Sequence, residues 1–141
     1  MFKRVLTLAT SSAALMVGLA APSFAAPADY VGTWVNKNPN TRSVTRFVVK
    51  KISADKLSVQ VFGKCHPTDC DWGNSRFITY GTSVQDTSGA YGTAAYDQGF
   101  SRSLLTFNRA GQEVMLQGFT QFVDNSGRQN YYIREYFTRT P

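Results

Sequence analysis

An all-β fold, an antiparallel up-and-down barrel of about eight strands, is the architecture this sequence predicts. Three observations carry it. Past residue 25, no window of about 11 residues spaces its apolar side chains three and four apart, as a helix requires. Short runs rich in Val, Ile, Phe, Tyr and Thr recur instead. Clusters of turn-forming residues separate them, among them Asn38-Pro39-Asn40, Ser53-Ala54-Asp55, Asp97-Gln98-Gly99, Arg109-Ala110-Gly111 and Asp124–Gly127.

The helical exception stands at the start. Lys3 and Arg4 precede an uncharged apolar stretch from Val5 to Ala21, Pro22 interrupts it, and Ser23-Phe24-Ala25 places small residues three and one before a cut. This pattern predicts a cleaved secretory signal over residues 1–25, with Ala26 as the alternative cut site. The run is short for a membrane span, and no Cys near the cut provides for lipidation. Export to the periplasm or the external medium follows, with no membrane association after cleavage. Residues 26–29 then read as a flexible leader and 30–141 as one domain.

Charge narrows the partners. The 141 residues carry 15 basic and 9 acidic side chains. Without Lys3 and Arg4 the exported chain keeps 13 against 9, a net +4, and these charges are scattered along the sequence without a cluster. No basic stripe marks a nucleic-acid surface.

The strands read in order as Val31–Asn36, Ser43–Ile52, Lys56–Phe62, Arg76–Thr82, Tyr91–Tyr96, Ser103–Asn108, Glu113–Val123 and Tyr131–Thr138. In the second, Thr45, Phe47 and Val49 face inward, opposite Arg46 and Lys50. In the third, Leu57, Val59 and Val61 alternate with Ser58 and Gln60. The seventh is apolar on both faces, with Val114, Leu116 and Phe122 opposed to Met115, Phe119 and Val123. Gly118 in its middle points to a bulge or a close backbone approach. In the eighth, Tyr131, Ile133, Glu135 and Phe137 share one face and Tyr132, Arg134 and Tyr136 the other. Whichever face is inside offers one polar anchor, Glu135 or Arg134. Hairpin connections make sequential strands neighbours, and closure removes the two edges of such a meander. An immunoglobulin-like sandwich is the rival fold, but its disulfide joins strands distant in sequence.

Cys65 and Cys70 are close in sequence, in the segment Lys64–Gly73 that joins the third and fourth strands. It also holds His66, the only histidine, with Pro67, Asp69, Asp71 and Trp72. An oxidising compartment and an even cysteine count make Cys65–Cys70 a disulfide. The alternative is a zinc set of Cys65, His66, Cys70 and Asp69 or Asp71, but it lacks the second cysteine pair of structural zinc sites. His66 oriented by Asp69 or Asp71 is the catalytic alternative, and no nucleophile motif accompanies it. The reading is therefore no cofactor, no metal and no catalytic residue. The ligand-binding candidates are Trp72, His66, Tyr80, Tyr96, Glu135 and Arg134.

Gly32-Thr33-Trp34-Val35-Asn36 resembles the Gly-x-Trp opening of the calycin barrels, the avidin and lipocalin group. That resemblance implies that Trp34 plugs one end of the barrel, with a basic residue of the last strand, Arg134 or Arg139, lying on it. The segment Lys64–Gly73 resembles a signature of small secreted bacterial proteins and implies no activity. Two main functions stand ahead of a hydrolase, for which only His66, Asp69, Asp71 and Glu135 are available. One is a binding module for a small apolar or amphipathic molecule or a sugar, held in a hollow interior. The other is a protein-interaction domain or inhibitor with a filled interior, an ordered disulfide loop and an apolar patch near Phe119 or Phe62.

Overall fold

The computed structural model describes residues 27–141; the signal segment, its cut site and Ala26 lie outside them. Eight antiparallel strands close into a barrel in sequence order. They are β1 (Gly32–Asn36), β2 (Val44–Ser53), β3 (Lys56–Gly63), β4 (Cys70–Tyr80), β5 (Tyr91–Asp97), β6 (Ser101–Ala110), β7 (Glu113–Phe122) and β8 (Tyr131–Arg139). The up-and-down barrel is thus the fold, and no helix among the described residues is long and apolar enough to cross a membrane.

Alternation decides which side chains turn inward, because successive residues of a strand point to opposite faces. Val59 and Val61 of β3, Leu105 and Phe107 of β6, and Val114 and Leu116 of β7 all meet inside. The centre is aromatic. Phe47 stacks on Trp34 at 6.0 Å and meets Phe107 and Phe137, each at 5.1 Å. Phe77 joins Phe107 at 5.0 Å and Tyr30 at 4.9 Å. Edge-to-face and offset geometries of this kind add a few tenths to about 1.5 kcal/mol per pair beyond area burial. The interior here is a packed aromatic core.

Four local expectations change. The first is Thr45: β2 and β3 shift register between Val44 and Arg46, so β2 carries an extra residue there. Val44 takes the inward position and Thr45 stays half-buried. The second is β4, which begins at Cys70 and not Arg76, so Cys70, Asp71, Trp72 and Gly73 are strand residues. A bulge at Trp72-Gly73, with Gly73 at φ 83°, absorbs the extra length against β3. The third is Gly118, where β7 runs without a bulge. A side chain there would lie 2.8 Å from Ile133 and 3.0 Å from Leu105, so close packing demands glycine. The fourth is the leader: from Pro27 it is a 3-10 turn, Pro27–Tyr30, docked against the barrel.

That turn seals the lower end, where β1 begins. Tyr30 is fully buried, and its hydroxyl donates to the carbonyl of Ala90. Burial pushes the Tyr30 phenol well above its ordinary value. Trp34 is also fully buried and donates Nε1–H to the Tyr30 carbonyl at 2.8 Å. The Arg139 guanidinium lies 4.8 Å from the Trp34 ring and donates to the Asp29 carbonyl. Arg109 reaches the Asp29 carboxylate at 3.3 Å. Two cations from β6 and β8 thus hold the turn in place over the tryptophan.

Candidate functional site

The upper end carries the disulfide. Cys65 and Cys70 are bonded, with Cα atoms 5.4 Å apart, and no cysteine is free. The disulfide is consistent with a non-cytoplasmic environment. It closes a ring over residues 65–70, and carboxylates in and beside that ring tie it to the strands. Asp69 accepts from the Thr45 hydroxyl at 2.6 Å. Asp71 accepts from Gln60 and from the Gly73 amide, each at 2.8 Å. His66 is exposed in the loop, and neither bonded carboxylate orients it. Among the described residues, no three His, Cys, Asp or Glu groups come together to hold a metal ion.

The six binding candidates do not converge. Tyr96 is a core residue, and its hydroxyl donates to the carbonyls of Val59 and Gly73 at 2.9 and 3.1 Å. Burial raises the affinity of that phenol for its proton. Trp72 meets Tyr96 edge to face at 5.7 Å and packs against the core from above. Glu135 is on the inward face of β8 with Phe137. It accepts from Asn36 and, at 2.6 Å, from the Thr41 hydroxyl, clamping the β1–β2 loop to β8. Arg134 is on the opposite face, in solvent. Tyr80 is on the outer wall near the lower end, hydrogen-bonded to Thr93 at 3.0 Å. Only Trp72 and Tyr96 meet, and their contact is part of the packing.

A different constellation stands out on the outer wall. Register pairs Ala95 with Leu104, Leu104 with Phe119, and Phe119 with Tyr132. These four outward residues form one row across β5, β6, β7 and β8. Leu104, Phe119 and Tyr132 are 48%, 50% and 50% exposed. The Phe119 and Tyr132 rings lie 5.2 Å apart at 44°, and Gln117 donates to the Tyr132 hydroxyl at 2.9 Å. Polar residues flank the row. Asp97 and Arg102 form an ion pair at 3.3 Å on one side, beside Gln121 and Asn130. Together they border an open groove of about 800 Å³. Phe62, the other expected patch, is covered by the Arg46 guanidinium at 3.5 Å.

Sequence reasoning singled out Phe119 but missed Leu104 and Tyr132 as its companions. The row exists only after three strand registers are set, and its members are nine to fifteen positions apart in the chain. The doubly apolar pattern of β7 was the one available signal.

No protein-family model, no curated protein and no solved structure matches this chain.

Proposed function

We propose that the chain is an exported protein-interaction module, a calycin-like barrel that engages its partner on the outer wall and not in its interior. The row Ala95–Leu104–Phe119–Tyr132 is the observation that carries this reading. Large apolar side chains half in solvent, in one contiguous row with polar flanks, have the anatomy of a contact surface with a polar rim. An open groove suits a partner that brings its own surface, whereas small-molecule pockets enclose most of their ligand. The packed aromatic interior agrees with the same reading, since it leaves the centre of the barrel to side chains.

The calycin-like assignment is supported by the eight-stranded barrel, the Gly32-Thr33-Trp34 opening and the Arg139 guanidinium over Trp34. Export is supported by the signal-like residues 1–25 and the Cys65–Cys70 bond. The disulfide loop serves in this reading to hold the upper rim rigid beside the groove.

Site-specific photo-crosslinking in the exporting cell tests the proposal. A photoreactive residue in place of Phe119 should yield one discrete protein adduct, and the same residue in place of Tyr80 should not. Equal labelling at both positions, or no protein adduct at 119, would overturn it.

A further inference from the structure

At the lower end, beside the turn that seals the barrel, a crevice of about 390 Å³ separates Pro27-Ala28 from the wall of β2, β3 and β4. Three cationic side chains border it: Lys51 from β2, Lys56 from β3 and Arg76 from β4. They meet at the barrel's lower rim from both faces of the sheet: Lys51 is in the inward row with Leu57 and Phe77, and Arg76, opposite Ser58, is in the outward row beside it. Lys50, also opposite Ser58, is a fourth cation in the outward row, across β3 from Arg76 and outside the crevice lining. None of the four forms an ion pair among the described residues, whereas Lys37, Arg102, Arg109 and Arg128 each have a carboxylate. The one acid at the crevice is Asp55, which accepts from the Ser53 hydroxyl at 3.1 Å. The fold thus adds Arg76 to the lysines of the β2–β3 hairpin and makes a positive rim that no ion pair compensates. The rest of the lining is largely apolar, with Ile78 40% exposed beside Pro27, Ala28 and Ala54.

Positive rim and apolar wall together select one ligand chemistry. A small anion alone would satisfy the lysines and the guanidinium but leave Ile78 and Pro27 in water. A neutral apolar molecule would cover the wall but give the three cations no acceptor. The geometry points to a binding site for a single anionic amphiphile, a phosphate or carboxylate head on a short apolar body. The head is held by Lys51, Lys56 and Arg76, and the body lies against Ile78 and the Pro27-Ala28 turn. Charge-assisted hydrogen bonds to the head provide most of the selectivity, with Arg76 able to bind two oxygens at once. The site is separate from the outer-wall row and stands or falls independently of it.

Calorimetry on the exported form of the chain, with dodecyl phosphate below its micellar concentration as probe, tests the inference. Dodecyl maltoside and inorganic phosphate are the two comparison ligands. Dodecyl phosphate should bind about tenfold or more tightly than either, and its affinity should fall with ionic strength. Lys56→Glu with Arg76→Glu should weaken it by about a further hundredfold, and the milder Lys56→Gln by about tenfold. Arg42→Glu with Lys64→Glu, on upper-end loops, should leave it unchanged. Inorganic phosphate binding as well as dodecyl phosphate would overturn the amphiphile assignment. Equal losses from the upper-end pair would overturn the site in favour of diffuse attraction. Binding only to vesicles of anionic phospholipid, with none to the monomer, would overturn it in favour of a membrane-facing surface.

Discussion

The inner and outer faces of β6, β7 and β8 carry similar side chains with opposite fates. Inside, Leu116 is fully buried, as are Phe107 and Phe137, which meet Phe47. Outside, Leu104, Phe119 and Tyr132 stand about half in solvent on the same strands. Residue chemistry does not separate the two sets; the direction of each Cα–Cβ bond does. The inner set is surrounded on all sides, so every methylene is felt in stability. The outer set has one open side, which a partner can cover.

Truncation separates the faces most sharply. Phe47→Ala should cost about 3–5 kcal/mol in urea unfolding, because it removes a ring in contact with three others. Phe119→Ala, at a side chain half in solvent, should stay within about 0.5 kcal/mol by the same measurement. Equal costs at the two positions would break the contrast.

The polar neighbours on β8 give the same contrast at smaller size. Glu135→Ala leaves the Asn36 amide and Thr41 hydroxyl without their acceptor in a part-buried setting. A loss of about 1–3 kcal/mol is expected by denaturant titration. Arg134→Ala, one position along and in solvent, should change stability by less than about 0.5 kcal/mol.

The disulfide acts on the upper rim. Cys65→Ser with Cys70→Ser should cost about 2 kcal/mol, the value for so small a closed loop. Reductant should lower the unfolding midpoint of the native protein to that of the double variant and leave the variant unmoved. Thiol titration of unreduced protein should find none free.

The smallest effect is acid-dependent and confined to the β7–β8 turn bordering the groove. Hydrogen bonding from Ser126 and the Arg128 guanidinium hold the Asp124 carboxyl down from 3.8 to about 2. A carboxyl lowered on folding favours the folded turn above its unfolded value, and that advantage disappears as pH falls through about 2. An NMR titration of the Asp124 carboxyl should therefore show its midpoint near 2, and Arg128→Ala should move the midpoint upward. Because the carboxylate is exposed, global unfolding should respond little.

Much of the fold was legible in local sequence. Leu57, Val59 and Val61 alternate without interruption, and turn residues punctuate every strand pair, so strand identity and order could be read off. The bulges at Thr45 and at Trp72-Gly73 could not be, because each is a mismatch between two strands and neither strand records it alone. The candidate site was less legible still. Tyr96 and Glu135 have the polar groups of binding residues, but hydrogen bonds from Tyr96 to Val59 and from Thr41 to Glu135 use those groups within the structure.

By itself, then, the amino-acid order determined an all-β domain, because strand periodicity and turn chemistry act within a few residues. It also determined which cysteines can pair, because only two exist. Tertiary structure decided which face of β8 is inside, which arginine lies on Trp34, and which outward side chains form one row. Those outcomes depend on barrel closure and cross-strand register, and they join residues as far apart as Trp34 and Arg139 or Ala95 and Tyr132.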